Sequence, residues 1–230
     1  MKQLVTKAIV LSRLDYGEAD RILTVLTPTY GKLSLLAKGV RRVKSKLAGG
    51  IELFSVSDIT FIKGRGSLDS LVSTRLVKHY GAIVKHIDRT MLGYELIKQL
   101  NHVTEDQPEA DYFTLGEQLF EALDDARVSL LLIKFWFAAQ LLRLAGHMPN
   151  LQTDVAGQKL EAAKRYGFDF DRMSFVLRPD GQFGPDHIKY LRLALSGNTP
   201  KVLNQVQGSV EILRDAAPLI QTMLRAVSLV

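Results

Sequence analysis

The chain has 230 residues, 47% hydrophobic and 23% charged, a composition typical of a globular protein large enough to bury a core without crosslinks. It contains no cysteine, which excludes disulfides, thiolate catalysis and cysteine-ligated zinc or iron–sulfur sites within this sequence. The net charge of +6 is uneven, with sixteen Lys or Arg against seven Asp or Glu in residues 1–90 and fourteen against seventeen in residues 91–230, which favours nucleic acid or a membrane surface as the partner of the first part.

The first twenty residues have no apolar region of the kind that a signal peptide needs. The most apolar run, residues 128–146, is interrupted by Lys134 and Arg143 and falls short of a membrane-spanning segment. We therefore expect a cytoplasmic protein without membrane contact.

Residues 1–80 predict five short strands, because large apolar and β-branched residues alternate with polar ones between turn residues. The predicted strands cover residues 6–15, 20–28, 31–39, 54–64 and 67–79. Five strands with a long connection after the third favour a small OB-type barrel.

From about residue 80 the apolar residues follow the helical period. Helices are predicted over residues 89–100, 105–125 and 127–146, and the last of these is apolar nearly all round, so we expect Trp136 in the core. The remaining segments are a helix over 155–167, a hairpin over 168–184 turning at 179–181, and helices over 185–195 and 200–227. The sequence thus predicts an α+β protein with a barrel domain at 1–80 and a mainly helical domain at 81–230.

The connection after the third strand carries five cations among the nine residues 38–46. Converging cations on a loop beside a barrel groove suit a phosphate backbone, although a merely solubilising loop has the same composition. We predict a DNA-binding surface formed by Lys32, Lys38, Arg41, Arg42, Lys44, Lys46, Lys63, Arg65 and Arg75.

Aromatic residues are few in the first eighty positions. Tyr16 and Tyr30 lie in predicted turns and are expected to be exposed, whereas Phe54 and Phe61 are expected in the core. So few candidate stacking residues predict binding that is dominated by phosphate contacts and independent of sequence.

No catalytic or metal-binding pattern is present. The five histidines are scattered without metal-ligand spacing, and the carboxylate pairs Glu18/Asp20 and Asp169/Asp171 each fit a turn. We expect a protein that is not an enzyme and needs no cofactor.

Three segments carry a resemblance to a known family: "YGEADRIL" at 16–23, "LTPTYGKLSLLAKGVRR" at 26–42 and "KSKLAGGIELF" at 44–54. In this order and spacing they closely resemble the amino-terminal region of RecO, the bacterial recombination-mediator and DNA-repair family. The helical middle and "LAGHMPNL" at 144–151 match more loosely. The resemblance implies an OB-fold followed by a helical domain, binding to single- and double-stranded DNA, strand annealing, and help in loading recombinase onto coated single strands.

The resemblance also implies partners: RecR and the acidic carboxy-terminal tail of single-stranded-DNA-binding protein. An acidic tail with an apolar end needs an apolar pocket rimmed by cations. Cations lie on or beside the central apolar helix, although the solvent edge of a helix has the same composition. We predict a peptide-binding groove lined by Arg127, Lys134, Arg143, Lys164 and Arg165.

One departure from the family concerns zinc. Many members carry a four-cysteine zinc module after the helical middle, whereas residues 151–187 of this chain hold no cysteine. We expect this region to fold around apolar residues without metal. Two other functions remain open from the residues alone: an OB-type RNA-binding or ribosome-associated protein, and an interaction adaptor without nucleic-acid affinity.

Overall fold

The computed structural model describes residues 2–108 and 110–229. They form two compact units, which divide between Asp125 and Ala126. Glu109, in the first turn predicted for the second helix, lies outside the described residues.

The first unit is built on a closed five-stranded barrel with the strand order β1-β2-β3-β5-β4. All neighbouring strands pair antiparallel except β3 and β5, which pair in parallel, so the five predicted strands and their OB-type arrangement are confirmed. The strands are β1 (Gln3–Tyr16), β2 (Asp20–Thr27), β3 (Gly31–Ala37), β4 (Ser55–Ile62) and β5 (Asp69–His79).

Alternation along the strands decides which side chains fill the barrel. Leu23 and Val25 of β2 and Leu35 and Ala37 of β3 point into the core, because successive residues of a strand face opposite sides. The residues between them therefore face outward.

Helices α1 (Ile87–Val103) and α2 (Ala110–Asp124) belong to the same unit. Gly116 of α2 lies against Ile9 of β1, and Gly93 of α1 lies against Phe54, so both helices pack on the outside of the barrel. The strands do end at residue 79, but the compact units divide after Asp125 and not at residue 80, because apolar packing joins these helices to the barrel.

The second unit combines four helices with a small sheet of order β6-β8-β7. Its central helix is α3, in which Trp136 is fully buried and donates its indole N–H to the carbonyl of Asn198 at 2.8 Å, as expected of a core residue. Its elements are α3 (Leu130–Leu144), β6 (Asn150–Asp154), β7 (Tyr166–Asp169), β8 (Ser174–Leu177), α4 (Pro185–Leu195), α5 (Pro200–Asn204) and α6 (Ser209–Ala226).

The segment before β7 is not the helix predicted over residues 155–167. The Asp154 carboxylate accepts the backbone N–H groups of Ala156 and Gln158, each at 2.9 Å, and Gly157 has φ +77°. A side chain that satisfies local backbone donors competes with helix formation, and a left-handed glycine ends it.

The hairpin also turns earlier than predicted. Strand β7 pairs with β8 from Tyr166↔Leu177 to Asp169↔Ser174, so the turn comprises residues 170–173 and not 179–181. Among the described residues, no helix combines the length and the apolar character needed to span a bilayer.

Candidate nucleic-acid interface

Part of the barrel's outer surface is left open by α1 and α2. At one end, the outward residues Ile9 and Leu26 are buried, and Gly116 of α2 lies against Ile9. Toward the other end of β1–β2–β3, the outward residues are exposed or half-buried. We call this region the uncovered face; it comprises Ser12, Leu14, Tyr16, Ile22, Thr24, Ser34 and Leu36.

A row of apolar side chains crosses the uncovered face. Leu14 pairs with Ile22, and Ile22 pairs with Leu36, so the three side chains are cross-strand neighbours. Leu14 is 64% exposed, and Tyr16, two residues further along β1, is 53% exposed. Apolar and aromatic side chains on this side of an OB-fold are suited to contact bases.

The basic loop, residues 38–50, begins beside this row. The backbone N–H of Arg41 donates to the carbonyl of Ala19 at 2.9 Å, and the N–H of Gly39 donates to Asp20 Oδ1 at 2.7 Å. Gly39 has φ +63°, which lets the chain turn sharply after β3. These bonds fix the start of the loop against the β1–β2 turn.

The far end of the basic loop is also held. Thr74 Oγ1 of β5 donates to the carbonyl of Leu47 at 3.2 Å, and Val40 and Ile51 are buried in the barrel core. The loop therefore packs against the barrel at both of its ends, and its charged side chains extend from a backbone that is held in place.

The cations of the loop differ in how far they are neutralised. Arg41 Nε lies 3.5 Å from Asp15 Oδ2, and the hydrogen bond from Arg21, followed by the charge of Arg41, holds the pKa of the Asp15 carboxyl below its usual range. Asp15 thus stays ionised at neutral pH and offsets part of the Arg41 charge. Within the part of the chain that the structure describes, four exposed cations of the loop form no ion pair: Lys38, Arg42, Lys44 and Lys46.

The β4–β5 loop supplies two more exposed cations, Lys63 and Arg65. Asp69 accepts the N–H of Gly64 at 2.9 Å and pairs in parallel with Leu35 of β3. Because Leu36 belongs to the uncovered face, this loop reaches the sheet beside that face. Cations thus flank an apolar strip, an arrangement suited to a strand whose phosphates and bases point in different directions.

Two of the nine predicted DNA-binding residues have other partners. Lys32 is on the outward side of β3, but its ammonium donates to the carbonyls of Asn101 at 3.0 Å and Thr104 at 2.6 Å. Arg75 lies on the β4–β5 surface, where it pairs with Asp58, its cross-strand neighbour. We therefore remove both from the candidate interface, which retains Lys38, Arg41, Arg42, Lys44, Lys46, Lys63 and Arg65.

Lys32 instead stabilises the end of α1, whose last carbonyls lack helical partners. We expect Lys32→Met to lower the free energy of unfolding by about 1–3 kcal/mol, because the carbonyls of the half-buried Asn101 and the buried Thr104 lose a charged donor. The salt dependence of DNA binding should not change. Chemical denaturation and a DNA titration at several salt concentrations test both; a flatter salt dependence with full stability would restore Lys32 to the interface.

The predicted burial of the aromatic residues of the first unit is confirmed for the two phenylalanines and for one of the two tyrosines. Phe54 and Phe61 are buried, and Tyr16 is exposed. Tyr30, predicted to be exposed, is half-buried because its ring packs edge-on against Phe61 at 5.4 Å. The residues missed from the sequence are Leu14, Ile22 and Leu36, whose period-2 alternation alone does not distinguish an open face from a covered one.

The five cations of the predicted peptide groove are not brought together. Lys134 and Arg143 are nine residues apart on α3 and so lie about 180° apart around its axis. Arg143 donates to Gln140, Lys164 pairs with Glu161, and Arg165 donates to the carbonyls of Gly181 and Gln182; Arg127 is exposed just before α3. This correction follows from helix geometry and from these local partners.

The second unit has a different cleft, of about 360 Å³, between the β7–β8 hairpin and α6. Phe168, Phe170 and Leu219 give it an apolar lining, and the exposed Arg178 and Asp180 lie at its edge. Arg165 supports one wall through its bond of 2.6 Å to the carbonyl of Gly181.

Residues 151–187, where the resemblance places a zinc module, contain packed aromatic rings. This segment lacks cysteine, and the described residues contain no group of three or more His, Asp or Glu placed to hold an ion. Phe175 is fully buried in its place, with its ring 5.2 Å from that of Phe168, 5.7 Å from Phe183 and 6.3 Å from Tyr166. Packed rings thus take the centre of the small sheet.

Two family models match the chain. The model described as "Recombination protein O N terminal" matches residues 1–80, and "Recombination protein O C terminal" matches residues 93–227. The first matches the barrel, and the second runs from α1 to the end of α6.

Curated relatives share the same printed name, "DNA repair protein RecO". The protein of Rhodopirellula baltica is 35% identical over 162 residues, which cover 69% of this chain and 59% of the relative. That of Dehalococcoides mccartyi is 29% identical over 205 residues, covering 88% and 77%, and that of Myxococcus xanthus is 35% identical over 158 residues, covering 66% and 63%. The match thus spans less than two thirds of the first and third of these relatives.

Proposed function

Since this chain belongs to the RecO family of DNA-repair proteins, we propose that it binds single- and double-stranded DNA as a recombination mediator. The observation that carries the proposal is the position of the basic loop, whose start is bonded to the β1–β2 turn beside the uncovered face. Such a surface can hold a phosphate backbone without reading its sequence.

In this proposal the two parts of the interface have different tasks. The five cations of residues 38–46 neutralise phosphates, while Leu14 and Tyr16 contact bases of a single strand. Neutralising phosphates lowers the repulsion between two complementary strands, which favours their annealing. In this proposal the protein acts by binding DNA and catalyses no covalent reaction.

Strand annealing tests this activity. The chain should accelerate pairing of two complementary oligonucleotides, at low salt more than at high salt, and should do so when they are coated with single-stranded-DNA-binding protein. Preference for RNA over DNA of equal length, without annealing, would instead support an RNA-binding role.

The proposed role also implies a location and a partner. A family member that acts on chromosomal DNA works in the cytoplasm at the nucleoid, with RecR as a further partner.

We further propose that the acidic tail of single-stranded-DNA-binding protein binds the cleft beside α6. Phe168, Phe170 and Leu219 can receive an apolar end, and Arg178 can pair with an acidic residue or the terminal carboxylate. Recruitment through this tail brings the DNA-binding unit to coated single strands, where recombinase is to be loaded.

A short acidic peptide ending in phenylalanine tests the cleft by titration. We expect saturable binding that weakens at least tenfold in Arg178→Glu, because a favourable charge becomes repulsive. The matched control is Arg143→Glu, which makes the same charge change outside the cleft. Equal weakening in both variants, or loss in Arg143→Glu alone, would contradict this assignment.

A further inference from the structure

The basic loop holds three large apolar residues with different fates. Val40 is buried in the barrel core and Leu47 packs partly against it, whereas Val43 is fully exposed, at 104% of its reference surface. A single exposed apolar residue is common on protein surfaces and needs no explanation alone. Val43 differs from such residues because it lies between two cations, Arg42 and Lys44, that belong to the candidate DNA interface.

The tip that carries Val43 has a defined backbone. The N–H of Arg42 donates to the carbonyl of Gly39 at 3.1 Å, and the N–H of Ser45 donates to the carbonyl of Arg42 at 2.9 Å. Two hydrogen-bonded turns therefore follow each other, and Val43 and Lys44 are the central residues of the second. A β-branched side chain at such a position is stiff about χ1, so it projects in a defined direction.

From this arrangement we propose that Val43 is an apolar wedge that inserts against the bases of bound single-stranded DNA. The inference rests on the proposed DNA-binding function. The Cα atom of Val43 is about 3.8 Å from the Cα atoms of Arg42 and Lys44. When these two cations hold phosphates, the Val43 side chain is therefore within reach of the same nucleotides. Apolar side chains inserted between bases unstack them in several DNA-binding proteins, and unstacking costs least where the bases are mismatched, damaged or already single-stranded.

The wedge predicts two measurable effects of Val43→Ser. Affinity for single-stranded DNA should fall about three- to tenfold at every salt concentration, because apolar contact is lost while charge is unchanged. The slope of log K against log salt should therefore stay the same. In an oligonucleotide containing 2-aminopurine, wild-type protein should raise the fluorescence as the base unstacks, and Val43→Ser should raise it much less.

Two control variants separate the wedge from other effects. Val43→Leu keeps an apolar tip and should retain affinity and fluorescence. Val84→Ser makes the same chemical change at a valine that is 57% exposed elsewhere in the first unit, and should behave as wild type.

The possible failures are distinguishable. Wild-type binding with Val43→Ser unchanged in both affinity and fluorescence overturns the wedge and leaves the proposed function intact. Equal losses in Val43→Ser and Val84→Ser also overturn it, because the effect would not be specific to the tip. Wild-type protein that binds no single-stranded DNA contradicts the proposed function, and the wedge with it.

Discussion

Reversing three charges on the basic loop, with Arg41, Arg42 and Lys44 all changed to Glu, should nearly abolish DNA binding at moderate salt. If the five cations of residues 38–46 each neutralise one phosphate, the single-strand slope of log K against log salt is roughly −3.5. Losing three contacts should reduce it to roughly −1.4, and the new carboxylates add repulsion. The loss should be similar for all sequences, because phosphates carry no sequence information.

A matched variant controls for the change in net charge. Lys159, Lys201 and Arg214 are exposed cations of the second unit, and changing all three to Glu alters the net charge by the same amount. This control should weaken binding only slightly, because none of these three cations belongs to the proposed interface. Equal losses of affinity and slope in both variants would show that overall charge, and not the basic loop, governs binding; circular dichroism must show that each variant is folded.

Phe175→Ala should destabilise the second unit by roughly 3–5 kcal/mol, the usual cost of truncating a buried phenylalanine. The ring is fully buried and touches Phe168, Phe183 and Tyr166, so its loss leaves a cavity at the centre of the small sheet. Trp136, the single tryptophan, lies in the same unit and reports its unfolding by fluorescence during a denaturant titration.

Two comparisons give this result its meaning. Phe170→Ala, at a ring that is 39% exposed, should cost much less. Adding EDTA to wild-type protein should leave the denaturation midpoint unchanged if packed rings, and not a metal, hold this region. One tightly bound zinc per chain, with a large loss of stability in EDTA and a small effect of Phe175→Ala, would refute this account of the region.

Local patterns in the sequence predicted the barrel well. Alternation in "DRILTVLT" and "KLSLLA" corresponds to the pleat of β2 and β3, and turn residues mark where these strands end. The density of cations on the basic loop was equally visible. The sequence did not show which part of the barrel the loop contacts, because the hydrogen bond from Arg41 to Ala19 joins two residues that β2 and β3 separate along the chain.

The errors arose where a contact joins distant parts of the chain or where a side chain competes with the backbone. Lys32 binds carbonyls of residues 101 and 104, about seventy positions away, and no local pattern announces this. Asp154 caps a turn in a segment whose composition suits a helix. The dispersal of Lys134 and Arg143 was different, since nine residues on one helix already place them on opposite sides.

A fluorescence anisotropy titration of labelled single-stranded DNA, repeated at several salt concentrations, tests the central claim most directly. The account predicts saturable binding with a slope of log K against log salt of roughly −3.5, similar for oligonucleotides of different sequence. No binding at low salt, or binding with a slope near zero, would contradict a DNA interface built on the basic loop.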